Sequence, residues 1–471
     1  MCYMLPKLWM GRIQKYWDKI MPNDFPASDS TFNIKFDTEE QTAAVTKLEK
    51  ELGTEDSVVS SFIPEGTVVS GYIGTYDVKG TPGVETLLSP EKITSENVKA
   101  LHLKEDGEWE AIENAHIKDG YLWGTLESFS PVAVIEYRKD IHIEELDAPL
   151  AGNKYIVCEG NTVRILKSKD GKVILRSEST GTEIELTEKM LIIGGSIDGS
   201  PIKKTSITVS GVDSDFVGKI YGGSYFWSDE EEISPATVDE INVLIINSNI
   251  GPVTGSTGMV RTNTFNLTIK NATINYIGAG ESWNDAKKKD CNESNCSYAS
   301  LAWLKKMNLS VENLETELLY CAGNTGYFFV DEIKSNIIGG NYQWLISGGS
   351  NGITNKTIVT IKDANIDMLQ NVNRGIVGDS KIIISGSNVK TLAISGDPTD
   401  STVNGITNKI RYEINAAENG KYNIVVGTQG GKKLTSEQIK SVIDCIKVSR
   451  SVDVTISNED LALLGEKYIV K

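Results

Sequence analysis

The second half of the chain repeats a short pattern, and this repetition restricts the possible folds more than any other feature of the sequence. From about Ser206 to Ile414, each repeat contains a short apolar strand, a polar turn rich in Asn, Ser or Asp, and a further apolar segment ending near Gly. The hexapeptide Asn-Gly-Ile-Thr-Asn-Lys occurs at 351–356 and again at 404–409. The spacing of the first apolar strand residue indicates a base period of about 24 residues with insertions, and the predicted anchor positions are 207, 243, 267, 309, 333, 359, 382 and 410.

This period predicts a parallel β-helix over residues 201–430. Inward Ile, Val and Leu side chains of one rung would stack on those of the next, while Asn at turns tolerates a left-handed backbone. Because no single rung buries its apolar face alone, both ends of such a solenoid need caps. We predict a β connector and cap at 139–200 and a small α/β cap at 431–471, with a helix at Ser436–Ile446 and a strand at Val452–Ile456.

The first part of the chain follows a different pattern. A helix is predicted over Thr38–Leu52, and residues 31–138 otherwise contain short alternating strands separated by turn signals, which indicate a β-sandwich. Two Asp-Gly pairs are hairpin signals. The fold class is therefore mainly β, with an N-terminal helix, a β-sandwich and then the β-helix. The predicted sandwich strands include Val98–Leu103, Trp109–Ile112, Tyr121–Leu126 and Val132–Ile135.

Residues 98–135 also carry a resemblance. Trp109 follows the first Asp-Gly pair, Asp119-Gly120 is the second pair, and Phe129-Ser130-Pro131 precedes a short apolar strand. This arrangement resembles the last strands of the ZU5-like or Ig-like sandwich modules of bacterial surface proteins and of some phage structural proteins. The resemblance covers about 40 of the 471 residues and implies a module, not a ligand.

Residues 1–30 are predicted to form an amphipathic docking segment. Basic residues lie away from an apolar face with helical spacing. Three roles remain open for this face: packing on its own protein, docking on another protein, or lying on a membrane surface. Charged residues interrupt the segment, so it does not have the form of a secretory signal. The residues of the apolar face are Leu5, Trp9, Ile13, Trp17 and Ile20.

Composition excludes several classes of function. The chain has 47 Lys and Arg against 64 Asp and Glu, and its net charge of −17 argues against a nucleic-acid partner. No apolar run approaches the roughly 18–20 residues of a membrane span. The only histidines are His102, His116 and His142, so residues 143–471 cannot use histidine as a general base or metal ligand. We expect no metal and no cofactor.

A long insertion at Gly278–Asn308 is the predicted contact surface, because insertions in solenoids project as loops that often bind partners. The alternative is a helical loop that packs Leu301, Trp303 and Leu304 on the solenoid. Cys291 and Cys296 lie in the same insertion and could pair in an oxidising medium. The predicted binding residues are Trp283, Lys287, Lys288, Tyr298 and Trp303.

No sequence motif requires catalysis. Polysaccharide lyases and tailspike glycosidases built on β-helices use clustered carboxylates, whereas acidic residues are sparse in the repeats. Asp363 and Asp367 are the pair expected to face each other across a turn. We therefore predict no catalytic residues, and keep a tailspike glycan depolymerase as an alternative that substitution of these two residues would test.

The modules are typical of extracellular proteins, yet the sequence has no export signal and no wall-sorting tail. A virion protein would reconcile these features, because it assembles in the host cytoplasm and leaves by lysis. We therefore expect a structural protein of a tailed bacteriophage, either a head fibre, a decoration protein or a tail fibre, that contacts other virion proteins and a host glycan or receptor. We expect a homo-oligomer, with a trimer as one form. The alternative is a bacterial cell-surface adhesin whose leader is missing.

Overall fold

The structure is a computed structural model. Within it, the chain folds as two compact units, residues 1–139 and 140–471. Among the described residues, the fold is mainly β with a single α-helix. The described residues are 30–33, 35–52, 58–93, 95, 97–145, 154–213, 215–227, 234–281, 302–323, 328–349, 352–373, 375–393, 406–415, 421–425, 428–429, 432–433, 446–448 and 453–456.

The first unit contains two antiparallel sheets and helix α1, Glu39–Glu51. The larger sheet has the strand order β1-β2-β8-β4-β5, and the smaller has the order β3-β7-β6. The helix lies within the range predicted from the sequence, which is thereby confirmed. The strands are β1 Thr31–Asn33, β2 Thr67–Lys79, β3 Glu85–Leu87, β4 Val98–Leu103, β5 Trp109–Ala111, β6 His116–Lys118, β7 Tyr121–Thr125 and β8 Pro131–Lys139.

The central strand β8 is buried on both faces. Its alternate residues Ala133 and Ile135 pack in one cluster with Val45 and Leu48 of α1. Val132 and Val134 point the other way, into a cluster that includes Leu122 of the smaller sheet. The five-stranded sheet is therefore covered by α1 on one face and by the three-stranded sheet on the other.

Helix α1 begins with a capping box, and this gives a first testable prediction. Thr38 Oγ accepts from Gln41 N at 3.1 Å, and Gln41 Oε1 accepts from Thr38 N at 3.2 Å. We expect Thr38→Ala to cost about 1 kcal/mol, read as faster hydrogen exchange in peptides from 39–51. The control is Thr46→Ala, because the Thr46 hydroxyl bonds only the Thr42 carbonyl within the helix. Equal exchange in both variants would contradict the capping argument.

The second unit contains one large curled sheet in which most neighbouring strands are parallel, and its two short strands Thr428–Gln429 and Lys432–Lys433 form a separate antiparallel pair. Its strands are β9 His142–Glu145, β10 Lys154–Val157, β11 Thr162–Lys167, β12 Val173–Ser177, β13 Glu183–Glu185, β14 Met190–Ile193, β15 Ile202–Ser210, β16 Val217–Tyr221, β17 Tyr225–Phe226, β18 Ala236–Ile246, β19 Asn249–Ile250, β20 Val253–Gly258, β21 Val260–Ile274, β22 Tyr276–Glu281, β23 Trp303–Tyr320, β24 Phe328–Ile338, β25 Asn341–Ile346, β26 Gly352–Lys362, β27 Asn365–Gln370, β28 Ile376–Ser385, β29 Asn388–Ala393, β30 Ile406–Asn415, β31 Lys421–Val425, β32 Thr428–Gln429, β33 Lys432–Lys433, β34 Ile446–Val448 and β35 Asp453–Ile456.

Strand pairing confirms the register expected from the repeat at most anchors. Val243 pairs with Leu267, and Leu267 pairs with Leu309 across the long insertion. Anchors 333 and 410 are wrong by two residues, since Leu309 pairs with Ser335 and Ile382 pairs with Tyr412. Two inward positions lie two residues apart in each repeat, and both are apolar in several of them, for example Phe265 and Leu267, so the apolar pattern alone does not say which is the anchor. At Ser335 the stacking position is itself polar, so the apolar pattern selects Ile333 instead.

One junction within each repeat is marked by a residue with a left-handed backbone at the end of the longer strand segment. At Asn247, Gly339, Asp363 and Gly386 this residue begins a two-residue break between strands, whereas β21 and β23 continue through the position and the strand after Gly211 begins only at Val217. Glycine or a short polar side chain occupies this position in every case, as the cost of a left-handed backbone requires. Pairing of the strands on either side leaves these residues stacked along the sheet. They are Gly211 (φ +66°), Asn247 (+49°), Asn271 (+49°), Asn313 (+54°), Gly339 (+65°), Asp363 (+53°) and Gly386 (+61°).

The other junction varies in length. It consists of one residue, Met259, between β20 and β21, but spans 282–302 between β22 and β23 and 394–405 between β29 and β30. These differences account for the irregular steps of the repeat. Parallel pairing begins at β10 with β14 and continues to β31 with β35, so it extends beyond the range 201–430.

The interior of the second unit is one continuous apolar cluster. Phe265, Ile245 and Val209 are fully buried within it. At the N-terminal end, β12 and β13 form an antiparallel meander on β11, and Val173 and Leu175 join the same cluster. None of the helices among the described residues is long and apolar enough to cross a membrane. The predicted cap helix at Ser436–Ile446 lies almost entirely outside the described residues.

Candidate functional site

Most residues predicted to bind lie outside the described residues. This applies to Leu5, Trp9, Ile13, Trp17, Ile20, Trp283, Lys287, Lys288 and Tyr298, and to Cys291 and Cys296. Trp303 is described, as the first residue of β23, where it is half-buried. It pairs with Arg261 on one side and Phe329 on the other, and Phe329 pairs with Ile353. Trp303 therefore belongs to a row across neighbouring strands in which Arg261 is exposed and Phe329 and Ile353 are half-buried.

Asp363 and Asp367 occupy different structural positions. Asp363 is a left-handed turn residue, whereas Asp367 lies on β27. Asp367 Oδ1 accepts from Lys390 Nζ at 2.5 Å. Of the two, only Asp367 lines a groove on the described surface. The arrangement thus separates the two carboxylates by role, with one shaping a turn and the other facing the groove.

The groove crosses β21, β23, β25, β27 and β29 on the outer face of the curled sheet and has a volume of about 830 Å³. Five parallel strands spaced about 4.8 Å apart give it a length of about 19 Å. Its lining residues are Thr273, Ile274, Asn275, Glu315, Thr316, Glu317, Asn341, Tyr342, Gln343, Asn365, Ile366, Asp367, Asn388 and Lys390.

Two rows of polar side chains run along this groove, one on each side of a buried row. Strand pairing places the first row in register, and the second row lies two residues further along each strand, on the same face. The inward residues between the rows, including Tyr342 and Ile366, are almost fully buried. The first row is Thr273, Glu315, Asn341, Asn365 and Asn388, and the second is Asn275, Glu317, Gln343, Asp367 and Lys390.

Three asparagines of the first row form a hydrogen-bonded ladder. Asn365 Nδ2 donates to Asn341 Oδ1 at 3.0 Å, and Asn388 Nδ2 donates to Asn365 Oδ1 at 3.0 Å. A primary amide has two N–H donors and two acceptor lone pairs. The ladder uses one of each at Asn365, so one donor and one acceptor remain at this exposed side chain. The ladder thus fixes the orientation of a regular series of amides that face solvent.

A second ladder lies elsewhere on the sheet and does not line the groove. Asn266 Nδ2 donates to Asn242 Oδ1 at 3.0 Å, and Asn308 Nδ2 donates to Asn266 Oδ1 at 2.7 Å. Its asparagines sit midway along the longer strand segments and are half-buried. This ladder stabilises pairing in the same way but offers less exposed amide surface.

The sequence analysis missed the groove because it assigned Asn to turns. The sequence does contain a pattern that marks these strand asparagines. In three successive repeats, an Asn lies two residues after the residue with the left-handed backbone: Asn341 after Gly339, Asn365 after Asp363 and Asn388 after Gly386. Each is followed by an apolar residue and then a polar one. That alternation predicts an outward Asn on a half-buried strand, not a turn.

Both cysteines in the described part of the chain, Cys158 and Cys321, are buried. Burial raises the pKa of the Cys321 thiol to about 12, and burial also raises the pKa of Cys158. Neither thiol is a nucleophile near neutral pH, because the reactive form is the thiolate. Among the described residues, no group of three His, Cys, Asp or Glu side chains could hold a metal ion.

Comparison with known proteins gives no relative on which to base a function. No protein-family model, no curated protein sequence and no solved structure matches the chain.

Proposed function

We propose that the protein is a non-enzymatic attachment protein, in which residues 154–456 form a parallel β-helix whose exposed groove binds a surface glycan. The β-helix is supported by in-register parallel pairing at a stride of about 24 residues and by one continuous apolar interior. The turn residues that recur at the same position of each repeat support the same architecture.

The amide ladder is the observation that carries glycan binding. Sugars present closely spaced hydroxyl groups that both donate and accept hydrogen bonds. Asn341, Asn365 and Asn388 offer both capacities at intervals of one strand spacing, on a rigid sheet and at an exposed surface. A side chain held by its own ladder loses little conformational freedom when it binds, which favours affinity.

The test compares one substitution in each ladder. Purified protein is applied to an array of bacterial surface polysaccharides, and the affinity of the best binder is measured for Asn365→Ala and for Asn266→Ala. Both substitutions remove two ladder hydrogen bonds, but only Asn365 lines the groove. We expect Asn365→Ala to weaken binding at least tenfold and Asn266→Ala to leave it within about twofold. Equal loss in both variants, or no glycan bound by the native protein, would refute the proposal.

We further propose that this attachment protein belongs to a bacteriophage particle, as a head fibre, a decoration protein or a tail fibre. Peptide mass spectrometry of gradient-purified particles, beside a cell-envelope fraction of the same culture, tests the location. Stoichiometric recovery with a major capsid protein is expected. Recovery in the envelope alone would favour the bacterial adhesin instead.

A further inference from the structure

The groove has unequal ends, and this inequality carries an inference about its ligand. Towards one end, on β23, the exposed carboxylates Glu315 and Glu317 lie two residues apart on the same face of the strand, and the outermost strand β21 adds only uncharged lining side chains. At the end formed by β29, Lys390 neutralises Asp367 through the contact at 2.5 Å. Between the two ends, the lining side chains of β25 are uncharged.

Neither of these two carboxylates on β23 is neutralised within the described part of the chain. There, no lysine or arginine lies within ion-pair distance of Glu315 or Glu317, whereas Glu312 on the same strand pairs with Lys270 at 3.4 Å. Residues two apart on a strand are about 6.8 Å from each other. A cation placed between the two carboxylates would therefore interact with both.

We propose that the groove binds an extended glycan carrying a free amino group, with the ammonium between Glu315 and Glu317 and uncharged sugar hydroxyls along Asn341, Asn365 and Asn388. This inference rests on the glycan-binding function proposed above and names the chemical class of the glycan. The glycan runs across the strands, because the amides repeat in that direction.

Charge also determines what the groove rejects. A carboxylate or sulfate on the glycan would meet two unneutralised carboxylates and a protein of net charge −17. At the roughly 4 Å distance of a surface contact, one pair of unit charges in water changes affinity about fivefold. Two carboxylates therefore give an expected discrimination of about tenfold or more between an ammonium and a neutral substituent at the same site.

Three matched probes test this class. The affinity of the full-length protein is measured by isothermal titration at pH 5.5 for a glucosamine tetramer, its fully N-acetylated form and a galacturonate tetramer. We expect the amino tetramer to bind at least tenfold more tightly than the N-acetylated tetramer, and the galacturonate tetramer to bind most weakly. Raising the salt concentration should reduce both the preference for the amino tetramer and the discrimination against galacturonate, because both arise from exposed charges.

Three variants identify the groups responsible. The double variant Glu315→Gln/Glu317→Gln should abolish the preference for the amino tetramer while retaining affinity for the N-acetylated one. Lys390→Gln, which leaves Asp367 without its cation, should increase the preference, and Glu312→Gln should have no effect because Glu312 lies outside the groove.

The results that would contradict the amino-glycan proposal differ from those that would contradict glycan binding itself. Equal affinity for the amino and N-acetylated tetramers, tighter binding of the galacturonate, or binding of none of the three overturns the inference. If the native protein still binds a polysaccharide of the array in the Asn365-dependent manner, the glycan-binding function stands. If it binds no glycan at all, both proposals fall.

Discussion

Gly258→Ala is expected to destabilise the second unit by about 2–5 kcal/mol, combining a left-handed backbone penalty of about 1–2 kcal/mol with overpacking of about 1–3 kcal/mol. Gly258 has φ +84°, and an added Cβ would lie 2.0 Å from the carbonyl oxygen of Phe226. That oxygen already accepts a hydrogen bond from Met259 N at 2.9 Å. The added methyl group cannot be accommodated unless the neighbouring backbone moves and this bond weakens.

The matched control is Gly171→Ala. Gly171 has φ +86°, so the backbone penalty is the same, but a Cβ there would have no heavy atom within 4 Å. We expect a loss of about 1–2 kcal/mol. Urea unfolding followed by far-UV circular dichroism measures both variants, and hydrogen exchange locates the effect. Similar losses in the two variants would show that steric contact between the neighbouring strands is not the cause.

Lys219→Met is expected to cost about 3–5 kcal/mol, because it leaves a buried carboxylate without its partner. Lys219 Nζ lies 2.8 and 3.0 Å from the two carboxylate oxygens of Glu281, whose side chain is only 7% exposed. The same ammonium lies 4.7 Å from the ring centroid of Tyr221, an arrangement that adds a cation–π attraction. The ion pair joins β16 to the end of β22.

An exposed ion pair of equal length provides the comparison. Lys167 Nζ lies 2.7 Å from Asp213 Oδ2, with both side chains about half exposed, so Lys167→Met should cost at most about 1 kcal/mol. The double variant Lys219→Met/Glu281→Leu should recover most of the stability lost in the single variant. If the double variant is as unstable as Lys219→Met, the loss arises from packing around the lysine stem and not from the unpaired charge.

The repeat and its register could largely be predicted from the sequence, because inward apolar residues recur at a nearly fixed period. The prediction failed at two anchors. Ser335 and Tyr412 are the residues that pair with the neighbouring anchors, but the predicted residues were the inward apolar ones two positions earlier, Ile333 and Ile410. Periodicity detects the first apolar residue of a strand, but it does not distinguish two inward positions that are both apolar. The strand pairing seen in the structure shows which of the two inward positions is the anchor.

The groove was harder to predict for a different reason. Its residues lie on five strands that are separated along the chain by 23 to 42 residues, and only register brings them together. The hydrogen bond between Asn341 and Asn365 depends on their being opposite each other, which composition does not reveal. Trp303 was predicted to bind because it lies in the long insertion with other aromatic and basic residues, whereas the importance of the amides comes from their repetition on neighbouring strands.

The contrast between the two junctions also bears on how such a chain evolves. From Asn247 onwards, strand partners lie at a constant distance from the residue with the left-handed backbone, while the opposite junction ranges from a single residue to the span 282–302 without a change of register. Segments can therefore be inserted, deleted or exchanged at that junction without changing which strands pair with each other. Comparison of divergent relatives should align the turns first and treat that junction as the place where lineages differ.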